Sequence, residues 1–510
     1  MTGGAGYVGS STAAWLIGRG HDVWILDDLS TGHLELTLGR GFTRARLGDL
    51  TTVVPLLRRE NFDCVMHFAA KSLVAESVAR PALYFENNVE QTRLLLEAMV
   101  ETSRELKSQP RFIFSSTCAI FGDPGDRAIA ESLPKNPTNP YGATKLEVEG
   151  MLQKMAAEQG LQSVALRYFN AAGTEALLRV GEIHEPETHL IPNILKAVTE
   201  DRPVQIFGTD YPTPDGTCVR DYVHVSDLAA AHEAAMNRLL AKPQGGSFEA
   251  FNLGSEAGFS VREMISACER VVGKKIQTVE KPRRPGDPPR LVADSSLAKK
   301  ELGFKARSNS LESILASAWA WHRKQAEPRR AILLDRDGTL NVDPGYLDHP
   351  DKLQLFPGVA EALAKLKRAG FRLIVVSNQS GVGRGLIPPE MLPKIHERLG
   401  ELLKPYGVQI DHYALCIHHP DANCDCRKPK PKLLLDAAQH LNVDLTRSFM
   451  VGDKKSDVEA GRAALCGKVA LVLSGCGRDA EKELALSSTR PDFTGESLED
   501  IARWILSSES

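Results

Sequence analysis

A second beginning, far inside the chain, limits the fold more than any other feature. At Ala331 an apolar run opens and ends on two carboxylates, AILLDRDGTL. Apolar runs and helical patterns then alternate afresh through FRLIVVSNQS (371–380), SFMVGDKKSD (448–457) and KVALVLS (468–474). Before that point a separate alternation has already run its course. Its β-branched runs are VWILDD (23–28), DCVMHFAA (63–70), RFIFSST (111–117) and SVALRYFN (163–170), with amphipathic stretches such as 84–108 and 142–159 between them. Strands alternating with helices build βαβ units and parallel sheets. A chain of 510 residues is also too long for one hydrophobic core. Two α/β domains are expected, over residues 1–321 and 331–510, with the polar, apolar-poor segment 322–330 as the linker.

The formal net charge of −3 gives no basic excess for a nucleic-acid or anionic-membrane partner. No run of about 18 apolar residues predicts a membrane helix. The Gly-rich start lacks the basic and apolar regions of a secretory signal. Nine cysteines are too sparse for a disulfide scaffold, and three of them crowd between Cys416 and Cys426. That clustering points to a metal site in a reducing compartment, so the cytoplasm is the expected location.

The opening TGGAGYVGS places Gly3, Gly6 and Gly9 where a strand would turn into a helix. Such a turn lets backbone approach a pyrophosphate, with the helix N–H groups facing the phosphates. Asp27 and Asp28 end the next strand, where an acid takes a ribose hydroxyl and favours NAD. Tyr141 and Lys145 stand four apart at the start of a helix, on one face. A fixed positive charge favours the phenolate, making a proton acceptor. Thr117, ending RFIFSST, can polarise the same substrate oxygen.

These pieces lie in one order with GDL (48–50), HFAAKSLVAESV, NNV (87–89), FSSTCAIFGD, NPYGATK, LRYFNAAG, HLIPNIL, YPTPDGTCVRDYVHVSDLA and RRPGD. Together they resemble the extended short-chain dehydrogenase/reductase family, its UDP-hexose 4-epimerases above all. The resemblance implies a Rossmann-type doubly wound parallel sheet with a small substrate subdomain, and a homodimer through this domain. It also implies NAD as hydride acceptor from the sugar C4, Tyr141 as base for the 4-hydroxyl, Lys145 as its electrostatic partner and Thr117 as a hydrogen-bond donor. By the same matching Tyr7, Val8, Asp49, Leu50, Phe68, Ala69, Ala70, Ser72, Asn88 and Phe169 would join Asp27 and Asp28 around the cofactor. Asn170, Phe207, Arg220, Arg284 and Asp287 would hold the UDP-sugar, the arginines as forks for its diphosphate. Dehydratase relatives carry an Asp-Glu pair after the strand-end Thr. Cys118-Ala119 stand there instead. Leu291 falls where that family varies residue size to admit or refuse N-acetyl sugars. One departure is plain: the family places an apolar strand before the Gly-rich turn, and Met1-Thr2 leave no room for one. The expectation is that the strand is missing, its neighbours bearing unpaired backbone groups, and that the true start lies upstream.

In the second domain Asp335 and Asp337 end a strand two residues apart and should point the same way. Asp335 can attack phosphorus, and Asp337 can protonate the leaving oxygen and then activate water. Ser377-Asn378, Lys428 and Asp453 follow three later strands. They suit phosphate oxygens, phosphoryl charge and a Mg²⁺ site shared by Asp335, Asp337 and Asp453. Cys416, His418, Cys424 and Cys426 offer three thiolates and an imidazole, a closed tetrahedral Zn²⁺ set with His419 spare. The whole resembles the haloacid dehalogenase superfamily, an α/β Rossmann-like domain with a Zn loop. DRDGTLNVDPGY, VVSNQSGVGRG, CIHHP, CDCRKP and MVGDKKSD narrow it to the D-glycero-D-manno-heptose bisphosphate and histidinol-phosphate phosphatase group. That group implies substrate contacts at Asp343, Tyr346, Gln379, Arg427 and Lys454. With a sugar-nucleotide domain in front, a sugar phosphate, the heptose bisphosphate, is the favoured substrate, in supply of activated sugars for surface polysaccharide or lipopolysaccharide. The alternative is a front domain that only binds or scaffolds, with the phosphatase alone active.

Overall fold

A computed structural model describes residues 1–284, 286–308 and 310–508, and separates the chain into two units, Met1–Gln325 and Ala326–Ser510. The helix Leu311–Ala326 runs through the first half of the expected linker. His322–Gln325 read as linker because they are the polar end of that helix. Only 327–330 lie between it and the strand Ala331–Leu334, and there Arg329 bridges to Val443.

In the first unit four parallel strands stand in the order Ser247–Leu253, Gln162–Tyr168, Arg111–Thr117, Val65–His67. A parallel pair, Trp24–Asp27 with Gly41–Arg44, flanks them. Thr2 bridges both groups, pairing in parallel with Leu26 and His67. The place expected to be empty is therefore filled: Met1–Gly3 pair with both neighbouring strands. Thr2 N donates to Met66 O (3.0 Å) and Gly3 N to Leu26 O (2.9 Å). Leu26 N donates to Met1 O (2.9 Å) and Phe68 N to Thr2 O (2.8 Å). The carboxyl ends of both neighbours are thus paired at the level of the Gly-rich turn. So short a stub escapes any search for an apolar run.

Phe112, Ile113, Phe114, Val164, Ala165 and Leu166 are all buried, as strands covered on both faces must be. The helix Pro140–Gln159 has explicit ends. The Asn139 side chain accepts from Gly142 N (2.9 Å), Pro140 takes the first turn, and Gly160 closes it at φ 75°. Those signals fix Tyr141 in the first turn and Lys145 and Glu149 beneath it. Glu149 forms a buried two-point pair with Arg167 (2.6 and 2.8 Å) and accepts from Ser116 Oγ (2.6 Å), tying helix to sheet. A smaller region carries the strands Val204–Phe207 with Thr278–Lys281, and Val219–Arg220 between Phe259–Ser260 and Arg290–Leu291.

The second unit is a six-stranded parallel sheet in the order His412–Cys416, Arg372–Asn378, Ala331–Leu334, Phe449–Gly452, Lys468–Val472, Phe493–Gly495. The strand order reverses around Ala331–Leu334, and ligands bind at the carboxyl ends beside such a switch. Among the described residues, no helix is long and apolar enough to cross a membrane.

Candidate active sites

In the first unit a cleft lies at the carboxyl ends of the central strands. Gly3, Gly6, Asp27, Asp28, Phe68, Ala69 and Ala70 line it, all expected from sequence. Arg46, Lys71, Asn87 and Gln91 also line it and were not expected. Asp27 accepts from Ala5 N (3.0 Å) and Leu29 N (2.9 Å), and burial raises its carboxyl. It holds the turn as well as facing the cleft. Gly-lined backbone, strand-end carboxylates and apolar Phe68–Ala70 suit a dinucleotide such as NAD.

Other expected cofactor residues stand behind this wall. Asn88 clasps the Lys71 backbone (2.9 Å each way) and reaches Thr144 (3.2 Å), so it positions the wall. The Tyr7 hydroxyl donates to Gly173 O (2.6 Å). Asp49 is engaged by Thr51 and Thr52 of the helix it begins (2.6 and 2.8 Å), Leu50 and Ser72 are exposed, and Phe169 packs with Ile120 and Phe121. Val8 packs with the core that contains Ala13 and Ile25. Gly9 supports the turn: a Cβ there would collide with the Gly3 carbonyl oxygen. Gly9→Ala is therefore expected to strip most NAD from the purified chain, checked by the absorbance of dinucleotide released on denaturation.

Lys145 Nζ donates to Ser115 O (2.7 Å) and lies 6.0 Å from the Tyr141 ring centre. Burial raises the Tyr141 phenol well above its ordinary value, although the Thr117 hydroxyl pulls the other way. Burial lowers Lys145 to about 7. The expected lowering of Tyr141 by Lys145 is therefore outweighed by burial of the phenol.

Toward the substrate side Arg220 pairs with Asp287, Arg284 stacks over Phe207 at 4.2 Å, and Asn170 Nδ2 donates to Asp221 O (2.9 Å). Leu291 packs beside Phe169 and Ile120. Asp221 itself, not singled out in sequence, is buried and accepts from Ser255 N and Oγ, Glu256 N and Ala293 N. It pins three chain segments under the Arg220 site. A lone Asp within VRDY carries no signal of that role.

In the second unit Asp335 directly follows the strand Ala331–Leu334. Lys428 Nζ meets Asp335 Oδ1 at 2.8 Å and Asp457 Oδ1 at 2.6 Å. Burial opposes the Lys428 charge, but the two carboxylates more than offset it and raise its pKa. Asn378 exchanges hydrogen bonds with the Lys428 backbone (3.0 and 3.1 Å), so it positions that lysine. Asp335, Asp453 and Asp457 bring carboxylate oxygens within 4.8 Å of one another. The buried Asp453 Oδ1 has no hydrogen-bond partner, while Oδ2 accepts from Cys476 N (2.8 Å). An orphaned oxygen in a carboxylate trio fits Mg²⁺.

Asp337 is a correction to the expected ligand set. Its carboxylate turns away to Arg336 (2.7 and 3.0 Å), Gln379 Nε2 (2.7 Å) and Asn341 Nδ2 (3.0 Å). Burial opposes its charge, but Arg336 outweighs burial and holds it below the usual carboxylate range. Asp457, in the first turn of the helix Lys455–Ala463, completes the trio instead. Gly338, at φ 94°, admits Asp453: any Cβ would strike that carboxylate.

Gln379 also bonds Ser377 Oγ (2.9 Å), and Lys454 Nζ reaches Asp343 Oδ2 (3.5 Å). Arg427 has a buried guanidinium nitrogen without a partner, Nη1. Tyr346 is partly exposed and packs on Gly381. Burial and Asp335 push Asp453 up to about 7. The metal needs the ionised form, so protons compete below that pH. The Mg²⁺ needed for half-maximal phosphate release is expected to rise about tenfold per pH unit below about pH 7. A Mg²⁺ titration at stepped pH checks it.

Cys416 Sγ, Cys424 Sγ and Cys426 Sγ lie 3.5 and 3.6 Å apart in sequence, and His418 Nδ1 is 3.2 Å from Cys426. A tetrahedron with Zn–S bonds of about 2.3 Å has edges of about 3.8 Å, so the donors fit Zn²⁺. His419 points elsewhere, its Nδ1 accepting from Asp421 N (3.2 Å). Backbone at His418-His419 lies against Gly383, so this loop packs on the turn 380–384.

The first unit thus has the fold and cleft of a dinucleotide-binding α/β enzyme, the second those of an aspartate-based hydrolase. The model of the NAD dependent epimerase/dehydratase family matches residues 1–254, and that of haloacid dehalogenase-like hydrolases matches residues 316–464. UDP-glucose 4-epimerase of Halalkalibacterium halodurans is 45% identical over 325 residues, 64% of this chain and 95% of the relative. That of Corynebacterium glutamicum is also 45% identical, over 63% of this chain and 94% of the relative. The crystal structure of UDP-glucose 4-epimerase from Brucella ovis in complex with NAD is similar at TM-score 0.59 and 42% identity, covering 62% of this chain and 96% of that one. The Bifidobacterium longum enzyme in complex with NAD⁺ and UDP gives 0.58 and 35%, covering 64% and 98%. Through its first unit the chain belongs to the NAD dependent epimerase/dehydratase family, and a haloacid dehalogenase-like hydrolase domain follows.

Proposed function

We propose that the chain joins two enzymes, a UDP-hexose 4-epimerase interconverting UDP-glucose and UDP-galactose, and a phosphatase acting on D-glycero-D-manno-heptose 1,7-bisphosphate. The observation that carries the first is Tyr141 beside Thr117 and Lys145, in a unit whose strand-end cleft suits a dinucleotide. Bound NAD would supply the hydride acceptor and, through its nicotinamide charge, the positive field that buried Tyr141 lacks in the free chain. Tyr141 takes the proton of the sugar 4-hydroxyl and returns it, and Thr117 holds that oxygen. Arg220, Arg284 and Asn170 hold the nucleotide diphosphate side.

In the second unit Asp335 attacks phosphorus, Lys428 offsets the phosphoryl charge, and Asp337 serves the leaving oxygen and then water. Asp335 and Asp453, with Asp457 beside them, would hold Mg²⁺, which would supply positive charge for the phosphoryl oxygens. Zn²⁺ in the Cys₃His set would shape the loop over the substrate.

The purified full chain tests both. Expected are bound NAD, conversion of UDP-galactose to UDP-glucose, and Mg²⁺-dependent phosphate release faster from the heptose bisphosphate than from histidinol phosphate. A chain with no NAD and no conversion would leave the first unit as a scaffold. The reverse substrate order would reassign the second.

A further inference from the structure

Residues 173–189 hold no helix or strand, between the strand Asn170–Ala172 and the helix Leu190–Thr199. Connections of that length inside a compact unit are uncommon and need tethers. The Tyr7 hydroxyl holds one end through Gly173 O, and Trp321 Nε1 donates to Glu182 O (2.9 Å). At the far end Glu182, His184, Glu187 and His189 converge, one donor atom from each lying within 4.8 Å of the others. None of the four lines the dinucleotide cleft or belongs to the Arg220–Asp287 pair.

We infer that Glu182, His184, Glu187 and His189 form a closed site for a divalent ion of the Zn²⁺ type, which staples this segment to the start of the helix Leu190–Thr199.

Three observations carry it. The donor geometry fits: His184 Nδ1 is 3.3 Å from Glu182 Oε1 and 3.7 Å from Glu187 Oε2, and His189 Nδ1 is 3.0 and 3.3 Å from the same two carboxylates. A tetrahedron with metal–ligand bonds of about 2.1 Å has edges of about 3.4 Å, which these distances bracket. Next, His184 Nδ1 is buried and makes no hydrogen bond of normal geometry, despite two carboxylates within reach. That is the arrangement of a lone pair aimed at a common centre rather than of an N–H aimed at one oxygen. Last, the imidazole rings lie 4.7 Å apart. At that separation one ion can take an Nδ1 lone pair from each ring. The mixed nitrogen and oxygen donors select a borderline ion over Mg²⁺ or Ca²⁺, which prefer oxygen alone. Four protein donors leave no open position, so the ion is structural.

Metal content of the full chain, equilibrated with Zn²⁺ and freed of excess, tests the site against the separate cysteine set. The unsubstituted chain is expected to hold two Zn²⁺. Cys424→Ser with Cys426→Ser removes one, and His184→Ala with His189→Ala removes the other. Glu182→Gln with Glu187→Gln, which keeps side-chain size, gives the same loss should the histidine variant fold poorly. In the cysteine variant, Zn-edge absorption should show only nitrogen and oxygen neighbours at about 2.0–2.1 Å. A single Zn²⁺ that disappears with the cysteines, or full Zn²⁺ content in both the histidine and glutamate variants, overturns the assignment.

Discussion

Asp335→Asn is expected to lower phosphate release from a sugar phosphate by at least about 10³-fold while leaving the second unit folded. An amide cannot attack phosphorus, and it also deprives Mg²⁺ of one anionic ligand. The fold should survive, because Asn has the same shape and Lys428 keeps Asp457 at 2.6 Å as a counter-charge. Asp337→Asn should behave differently. Its carboxylate lies outside the carboxylate trio, held by Arg336 and Gln379. With an aryl phosphate, whose leaving group needs no proton, that variant should still transfer phosphoryl to Asp335 and then stall before hydrolysis. Acid-quenched phosphoenzyme measurements separate the two: none for Asp335→Asn, accumulation for Asp337→Asn. Rates for Asp335→Asn within tenfold of the unsubstituted chain would remove it as nucleophile.

The contrast between those carboxylates marks what the sequence could carry. Strand ends were legible, because apolar runs stop where Asp335, Ser377 and Thr117 begin. Side-chain direction beyond the strand was not. Alternation pointed Asp335 and Asp337 the same way, but it holds only while the backbone stays extended. The chain turns at Arg336, whose fully buried guanidinium draws Asp337 aside. Asp457 was readable in principle, four residues after Asp453, at the spacing that stacks side chains over the first turn of a helix. The central strand of the first unit shows the opposite limit. Its pairing with Leu26 and His67 is centred on Thr2 and reaches only Met1 and Gly3, and so short a stretch has no periodicity. Asn88 and Asp49 were placed at a cofactor by likeness of motif. Their hydrogen bonds run to Lys71 backbone and to Thr51 and Thr52, contacts that no local pattern reveals.

Tyr141→Phe is expected to cut epimerisation of UDP-galactose by about 10²–10⁴-fold, the range for loss of a positioned proton acceptor, with bound NAD retained. Retention follows from position. Tyr141 does not line the dinucleotide cleft, and the Asn139 cap and Pro140 fix the helix whatever ring stands there. Lys145→Met should act on both readouts. Its ammonium bonds Ser115 O, so its loss removes that tie to the sheet as well as the charge that opposes desolvation of the phenol. Burial weakens that charge, lowering Lys145 to about 7. Tyr141, raised by burial, then depends on a further positive charge arriving with the cofactor. The activity of the unsubstituted chain should therefore follow NAD occupancy closely. A Tyr141→Phe chain that holds NAD and turns over UDP-galactose within tenfold of the unsubstituted rate would show that the proton leaves by another group, and Thr117 would then be the residue to examine.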